Sequence, residues 1–184
     1  MLEDLSMGIW ELVNNSIAAG ARNIDISLLA DRDRDRLALT VKDDGCGMSP
    51  QLAKKVLDPF TTTRRTRRVG MGTSLLEETC TQCGGEMSVD SAPGKGTLIV
   101  CTFCASSIDL PPLGNIGEVM MAAVQANREI RYLLRVGRDG KQFVFDSKEI
   151  ADQLGGVPLD DPAVLLWIRD YINQEVQNIK EDGL

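Results

Sequence analysis

The sequence predicts an α+β fold of the two-layer sandwich type, in which helices pack on one face of a mixed, mostly antiparallel sheet. One observation is the order of periodicities over the first 105 residues, which runs helix, two strands, helix, loop, helix, two strands. A second is that short turn sequences separate the strands of each pair, which favours hairpins. Beyond residue 114 the same reasoning predicts a C-terminal helix–hairpin–helix–helix extension.

The N-terminal elements are a helix over residues 2–20 and a hairpin with strands at 23–29 and 37–41. The apolar residues of the helix recur at helical spacing, and they are Leu5, Ile9, Leu12, Val13 and Ile17. Gly20 fits the end of the helix. The hairpin turn, residues 31–36, alternates aspartate with arginine, which indicates a solvated turn.

Two helices and a second hairpin are predicted next, at about residues 50–57, 73–83, 86–91 and 97–103. Pro50 suits the first position of its helix. Residues 58–72 have no periodicity and contain four arginines, so they are predicted to form a loop that is functional or mobile. The turn at 92–96 contains one proline and two glycines.

The C-terminal part begins after a proline-containing linker, residues 106–114. A helix at about 115–127, strands at 130–136 and 142–146, and two further helices are predicted. Ser147 is the predicted N-cap of the first of these helices, and Asp160 or Asp161 that of the second. The predicted organisation is therefore a domain at 1–105, a linker at 106–114 and an extension at 115–184.

Composition excludes several classes of function. The net charge of −7, from 27 acidic and 20 basic residues, argues against nucleic acid as the main partner. No apolar run reaches the roughly 18 residues of a membrane helix, and the acidic N-terminus is unlike a signal peptide, so a cytoplasmic protein without membrane contact is expected. The chain contains no histidine, which excludes an imidazole base, metal ligand or phosphoacceptor.

Glu11 and Asn15 stand four residues apart on the first helix and therefore share a face. An amide oxygen there suits a hard cation, and a carboxylate suits the polarisation of a nucleophile. Taken alone, the pair is more simply explained as part of a solvated helix face.

Asp43, Gly45, Gly47 and Met48 follow a strand directly. A carboxylate in that place can accept a hydrogen bond from an exocyclic amine, and the glycines allow a flat base to lie against the backbone. An ordinary Asp-Gly turn is the alternative.

Gly70, Met71, Gly72 and Thr73 open a helix, so their backbone amides and the helix N-terminus can hold phosphate oxygens. The arginines before them, which include Arg64 and Arg65, place positive charge where phosphates need it. The alternatives are a tight connection and a solvated basic loop.

The order of these motifs resembles that of the GHKL ATPase superfamily, which includes gyrase, the large heat-shock chaperone, histidine kinases and the mismatch-repair ATPases. Four ordered motifs support the resemblance: ELVNNSIAAGA, DDGCGM, a basic loop ending in GMGTS, and GGEMSVDSAPGKGT. The whole chain is also similar to small bacterial stand-alone ATP-binding proteins. The resemblance implies the GHKL type of sandwich and the cofactors ATP and Mg²⁺.

The resemblance also implies a role for each site residue. Glu11 is the implied general base, and Asn15 the implied ligand of a Mg²⁺ that bridges the phosphates. Asp43 is expected to bind the adenine amine, with residues 59–72 as the ATP lid. The full set implied for nucleotide binding is Asn15, Asp43, Gly45, Gly47, Met48, Arg64, Arg65, Gly70, Met71, Gly72, Thr73 and Thr97.

Two functions follow from the resemblance. One is an ATPase or protein kinase that passes the γ-phosphate to water or to a partner protein in signal transduction. The other is a nucleotide-sensing interaction module with negligible turnover. Ala18 stands where mismatch-repair relatives have aspartate and histidine kinases often have lysine, so the resemblance implies that one polar contact near the nucleotide is missing.

Four cysteines, Cys80, Cys83, Cys101 and Cys104, have the spacing C-x2-C-x17-C-x2-C, which can hold zinc. Cys101 and Cys104 would point to opposite faces of a continuous strand, however. Buried thiols are therefore preferred over a metal site.

Overall fold

A computed structural model describes residues 2–56 and 71–181. Most of the predicted lid, including Arg64, Arg65 and Gly70, lies outside these residues. The helices are α1 (Leu5–Ala18), α2 (Pro50–Val56), α3 (Met71–Gln82), α4 (Ile116–Ala126), α5 (Ser147–Gln153) and α6 (Pro162–Glu181). The strands are β1 (Asn23–Asp31), β2 (Arg36–Asp43), β3 (Met87–Ala92), β4 (Gly96–Cys104), β5 (Arg131–Arg138) and β6 (Lys141–Asp146).

The six strands form one sheet in the order β3-β4-β2-β1-β5-β6. The β1–β5 pair is parallel, and the other four pairs are antiparallel. The predicted mixed, mostly antiparallel sheet with a helix–hairpin–helix–helix extension is therefore confirmed. The extension contributes β5 and β6 directly to the sheet, beside β1.

Burial alternates along the strands because successive side chains point to opposite faces. In β1, Ile24, Ile26 and Leu28 are buried against the helices. On the other face, Asp25 forms an ion pair with Arg135 of β5, with 2.6 Å between Oδ1 and Nη1. The helices therefore cover one face of the sheet, and one continuous hydrophobic core lies between the two layers.

Side-chain caps set several helix boundaries. Asp4 accepts a hydrogen bond from Met7 N at 3.0 Å, so α1 begins at Leu5 rather than at residue 2. The predicted Ser147 cap of α5 is wrong by one residue, because Asp146 accepts from Lys148 N instead. The Ser147 hydroxyl accepts from Tyr132 N at 2.8 Å and so joins α5 to the sheet.

Asp161, one of the two predicted caps of α6, accepts a hydrogen bond from Ala163 N at 2.9 Å. No helix within the described ranges is both long and apolar enough to cross a membrane.

Candidate functional site

In the structure, α1 lies against the start of α3. Asn15 is half-buried on α1, and its Nδ2 lies 3.4 Å from Thr73 Oγ1. Thr73 is almost fully buried in the first turn of α3, whose backbone begins at Met71. Two predicted motifs that are 58 positions apart thus meet at the N-terminus of a helix, where backbone amides favour anions. Nδ2 faces Thr73, and among the described residues the amide oxygen of Asn15 has no hydrogen-bond partner, so it can bind a hard cation.

Glu11 lies one helical turn before Asn15 on α1 and is half-buried. Among the residues that the structure describes, its carboxylate has no hydrogen-bond or ion-pair partner. A free carboxylate keeps its full capacity to accept a proton or to orient a hydroxyl. Ala18, one turn further along, is exposed and contributes no polar group.

Asp43 is the last residue of β2 and is 8% exposed. Its Oδ2 accepts a hydrogen bond from Ser16 Oγ at 2.7 Å, and its Oδ1 accepts one from Gly45 N at 2.9 Å. These two bonds fix the carboxylate from α1 on one side and from its own turn on the other. A carboxylate can accept about four hydrogen bonds, so capacity remains for the amine of a ligand.

The turn after Asp43 touches the turn between β3 and β4 so closely that both need glycine. Gly47 has φ +66°, and a Cβ added there would lie 2.0 Å from the Ala92 carbonyl oxygen. Gly96 has φ +81°, and its Cβ would lie 1.9 Å from the Asp43 carbonyl oxygen. The sequence predicts that these glycines allow a flat base to lie against the backbone. In the structure, Gly47 and Gly96 also allow the two turns to pack against each other.

Thr97 and Met48 are joined at this site by Ser91. Thr97 lies opposite Asp43 in the β2–β4 register. Its Oγ1 lies 3.0 Å from Ser91 Oγ, which also accepts from Met48 N at 2.8 Å. Residues from four separate stretches of sequence therefore surround the end of β2.

Sequence reasoning missed two positioning residues, Ser16 and Ser91. Ser16 follows Asn15 on a helix, and its burial could be seen only after Asp43 was placed beside it. The signal for Ser91 was available, because the predicted hairpin around residues 92–96 puts it directly opposite Thr97.

The four cysteines whose spacing could hold zinc are free thiols. Cys80, Cys83 and Cys101 are buried, and Cys104 is half-buried. The thiols of Cys80 and Cys101 form a hydrogen bond. This bond, together with burial, raises the pKa of the Cys101 thiol. Cys104 instead donates to Asp35 Oδ2 at 3.0 Å. Within residues 2–56 and 71–181, no cluster of three or more potential ligands has the geometry of a metal site.

Similarity to known proteins agrees with this geometry. Sequence relatives include the sensor histidine kinase YxdK of Bacillus subtilis, which is 33% identical over 104 residues covering 54% of this chain and 32% of YxdK. A putative sensor protein of Shewanella frigidimarina is 31% identical over 109 residues, 58% of this chain and 17% of that protein. The chain thus spans less than a third of either relative.

Among solved structures, the MutL ATPase domain of Aquifex aeolicus complexed with ADP matches with a TM-score of 0.53. It is 14% identical, and the match covers 86% of this chain and 71% of that one. A profile of the family described as histidine kinase-, DNA gyrase B- and HSP90-like ATPase matches residues 2–107. The resemblance seen in the sequence motifs is therefore confirmed, and the chain belongs to the histidine kinase-, DNA gyrase B- and HSP90-like ATPase family.

Proposed function

We propose that the chain binds Mg²⁺-ATP at the end of β2 and passes the γ-phosphate to water or to a side chain of a partner protein. The observation that supports this most is that α1 contacts both halves of the site. Ser16 holds Asp43, and the adjacent Asn15 meets Thr73 at the start of α3. Family membership is the second support. Residues 1–105 are the proposed nucleotide-binding unit, joined through 106–114 to the extension at 115–184.

In this proposal the remaining acceptor positions of Asp43 receive the adenine amine, while the turns at Gly45–Met48 and Thr97 lie against the base. The backbone at the N-terminus of α3 holds phosphate oxygens, together with Gly70, Arg64 and Arg65 of the lid. Asn15 suits Mg²⁺ because its amide oxygen is a hard ligand atom. The bound Mg²⁺ neutralises phosphate charge when present.

Glu11 is the proposed base. Its carboxylate takes the proton of the attacking water or hydroxyl as the oxygen bonds to the γ-phosphorus, and the bond to the β-phosphate oxygen breaks to release ADP. With water the products are ADP and inorganic phosphate. With a partner hydroxyl the product is a phosphorylated side chain.

Calorimetric titration with Mg²⁺-ATP tests the binding site. The Asp43→Asn variant is expected to bind roughly tenfold to hundredfold more weakly, because it loses a charged acceptor. Asp44→Asn is the matched control, since Asp44 is the neighbouring carboxylate and instead accepts from Arg22 N and Asn23 N. Removal of Mg²⁺ with EDTA is also expected to weaken binding. Unchanged affinity in Asp43→Asn would refute the assignment.

Incubation of the protein and a cell lysate with ATP labelled at the γ-phosphate tests whether phosphate is transferred. Glu11→Gln is expected to lower phosphate transfer by roughly 10²- to 10⁴-fold while leaving ATP affinity unchanged. Glu3→Gln, at an exposed glutamate just before α1, is the control. Free phosphate indicates an ATPase, and a labelled protein indicates a kinase. Equal transfer by both variants would exclude Glu11 as the base.

A second candidate is a nucleotide-sensing module with negligible turnover. It is favoured by the pairing of β5 with β1, which in turn pairs with the strand that bears Asp43. Nucleotide at Asp43 would then act on the extension through two adjacent strands. This function requires that ATP change the affinity of a partner while no phosphate is released, and turnover that depends on Glu11 would exclude it.

A further inference from the structure

One hydroxyl, that of Ser91, joins the two turns that meet at the end of β2. Its Oγ accepts a hydrogen bond from Met48 N at 2.8 Å and donates one to the Gly96 carbonyl oxygen at 2.9 Å. The same Oγ lies 3.0 Å from Thr97 Oγ1. Ser91 is half-buried on β3, directly opposite Thr97 in the β3–β4 register. Three groups therefore share the Ser91 hydroxyl.

The number of hydrogens decides the direction of the bond between Ser91 and Thr97. A serine hydroxyl has one hydrogen and two lone pairs that can accept. The Gly96 carbonyl can only accept and so receives the hydrogen of Ser91, whereas the Met48 amide can only donate and so occupies one lone pair. Thr97 then donates its own hydrogen to the second lone pair of Ser91. With its hydrogen used in this way, the Thr97 hydroxyl can only accept from a ligand.

Asp43 presents the same polarity beside Thr97, to which it lies directly opposite in the β2–β4 register. Its two oxygens accept from Ser16 Oγ and Gly45 N, and an ionised carboxylate has no hydrogen to donate. Residues directly opposite in an antiparallel pair point to the same face, with Cβ atoms about 4.5–5.5 Å apart. Thr97 is half-buried and Asp43 is 8% exposed, so both side chains keep some surface open to a ligand.

We propose that Ser91 fixes Thr97 as an acceptor, and that Asp43 and Thr97 together receive the two hydrogens of one exocyclic amine. The site then selects a 6-aminopurine nucleotide over a 6-oxopurine nucleotide. A carbonyl at the same place brings a third acceptor against the other two and leaves all of them unpaired, which is costly where water is excluded. Ser91 does not touch the base in this arrangement; it is a positioning residue that acts through Thr97. This inference deepens the proposed function and rests on it, since it concerns the same nucleotide site.

Calorimetric titration of the full chain with Mg²⁺-ATP and with Mg²⁺-inosine triphosphate (ITP) tests the selection, because ITP has a carbonyl in place of the 6-amino group. The wild type is expected to bind ATP roughly a hundredfold more tightly than ITP. Ser91→Ala frees the hydrogen of Thr97 to turn towards the ligand and to donate to that carbonyl. The ratio of the ITP and ATP dissociation constants is therefore expected to fall about tenfold in this variant. A loss of structure weakens both nucleotides and leaves the ratio unchanged.

Ser88→Ala is the matched control, because Ser88 is an exposed serine of the same strand and lies opposite Val100 rather than Thr97. Its ratio is expected to equal that of the wild type. Ser91→Thr keeps a hydroxyl and is expected to restore the ratio. Thr97→Val keeps the shape of the side chain without the acceptor, so it is expected to weaken ATP about tenfold and to leave ITP unchanged. This variant decides the result if Ser91→Ala fails to fold.

The outcomes separate the inference from the proposed function. A ratio that falls in Ser91→Ala and returns in Ser91→Thr supports the inference. Equal weakening of ATP and ITP by Ser91→Ala and by Thr97→Val overturns it and leaves the proposed nucleotide site in place, as does a wild type that binds ATP and ITP equally. A wild type that binds neither nucleotide overturns the proposed function and the inference together.

Discussion

A buried charged side chain lies at each end of the sheet, Asp43 at one end and Arg138 at the other, and the two differ in their hydrogen bonds. At the Asp43 end, the carboxylate accepts from Ser16 Oγ and Gly45 N, two donors placed by α1 and by the turn after β2. At the Arg138 end, two guanidinium nitrogens have no hydrogen-bond partner among residues 2–56 and 71–181. The two residues are buried to a similar degree, so burial does not account for the difference.

This difference in hydrogen bonding follows from which parts of the chain form each end of the sheet. The Asp43 end is built from parts of the chain that contact each other closely: α1, the turn after β2, and the β3–β4 turn. Cys46 N donates to Ala19 O at 2.9 Å, and Gly94 N donates to Cys46 O at 2.8 Å. The Arg138 end is made where two hairpin turns face a cavity. The first end is therefore preorganised, whereas at the second end a buried guanidinium lacks acceptors within the described part of the chain.

The largest expected effect tests the rigidity of the Asp43 end. Gly96→Ala would place a Cβ 1.9 Å from the Asp43 carbonyl oxygen at φ +81°, so backbone must move. We expect a loss of about 4 kcal/mol in the free energy of unfolding, measured by urea denaturation. ATP binding is expected to weaken as well.

Gly94→Ala is the matched control in the same turn. Gly94 has φ +74°, but nothing lies within 4 Å of its added Cβ. A loss of only about 1 kcal/mol is expected, from backbone strain alone. If the two variants lose equal stability, the close contact between the turns contributes nothing and the contrast between the two ends fails.

The next effect tests the Arg138 end and has the opposite sign. Arg138→Met replaces a buried, partly unsatisfied cation by an apolar side chain of similar length. We expect the free energy of unfolding, measured by urea denaturation, to rise by about 1 kcal/mol.

Arg34→Met is the control for that measurement, since Arg34 is 78% exposed. Its stability is expected to stay close to that of the wild type. A variant Arg138→Met that is clearly less stable than the wild type would show that the guanidinium already stabilises the fold, and would contradict the contrast between the two ends of the sheet.

Much of the fold could be predicted from sequence because its signals are local. Alternation in Ile24, Ile26 and Leu28 and helical spacing in Leu5, Ile9 and Leu12 each depend on neighbours a few residues away. Ser147 shows the limit. Its hydroxyl was predicted to cap α5, but a distant strand supplies Tyr132 N as its partner, and Asp146 becomes the cap.

The candidate site was predictable to the extent that its residues stand in ordered motifs. Asn15, Asp43 and Thr97 could be chosen because their motifs have a recognisable sequence and order. Ser16 was missed because its role depends on a contact across 27 positions. Arg138 was missed because a single arginine at the end of a strand looks exposed until a helix, here through Ile179, is placed over it.

The smallest expected effect concerns Asp146, a buried carboxylate at the end of β6. It lies at the same end of the sheet as Asp43. Arg131 Nε lies 3.1 Å from Asp146 Oδ1, and this hydrogen bond to the guanidinium is the main cause that holds the pKa of Asp146 below its usual range. A carboxyl whose pKa is lowered by folding stabilises the fold above its unfolded pKa of about 3.9, and this stability is lost as pH falls through the lower folded value.

Asp146→Asn keeps a cap for α5 but loses the ion pair with Arg131. Because Arg131 is half-exposed and solvent screens the pair, we expect a loss of only about 0.5 kcal/mol in the free energy of unfolding between pH 5 and 8. Below about pH 4 the difference between wild type and variant should shrink, since the protonated carboxyl no longer differs in charge from the amide. Asp170→Asn is the control, because Asp170 also pairs with an arginine, Arg169, but is itself 65% exposed, and a smaller difference is expected there. A pH-independent difference for Asp146→Asn would mean that its charge is not what stabilises this end of the sheet.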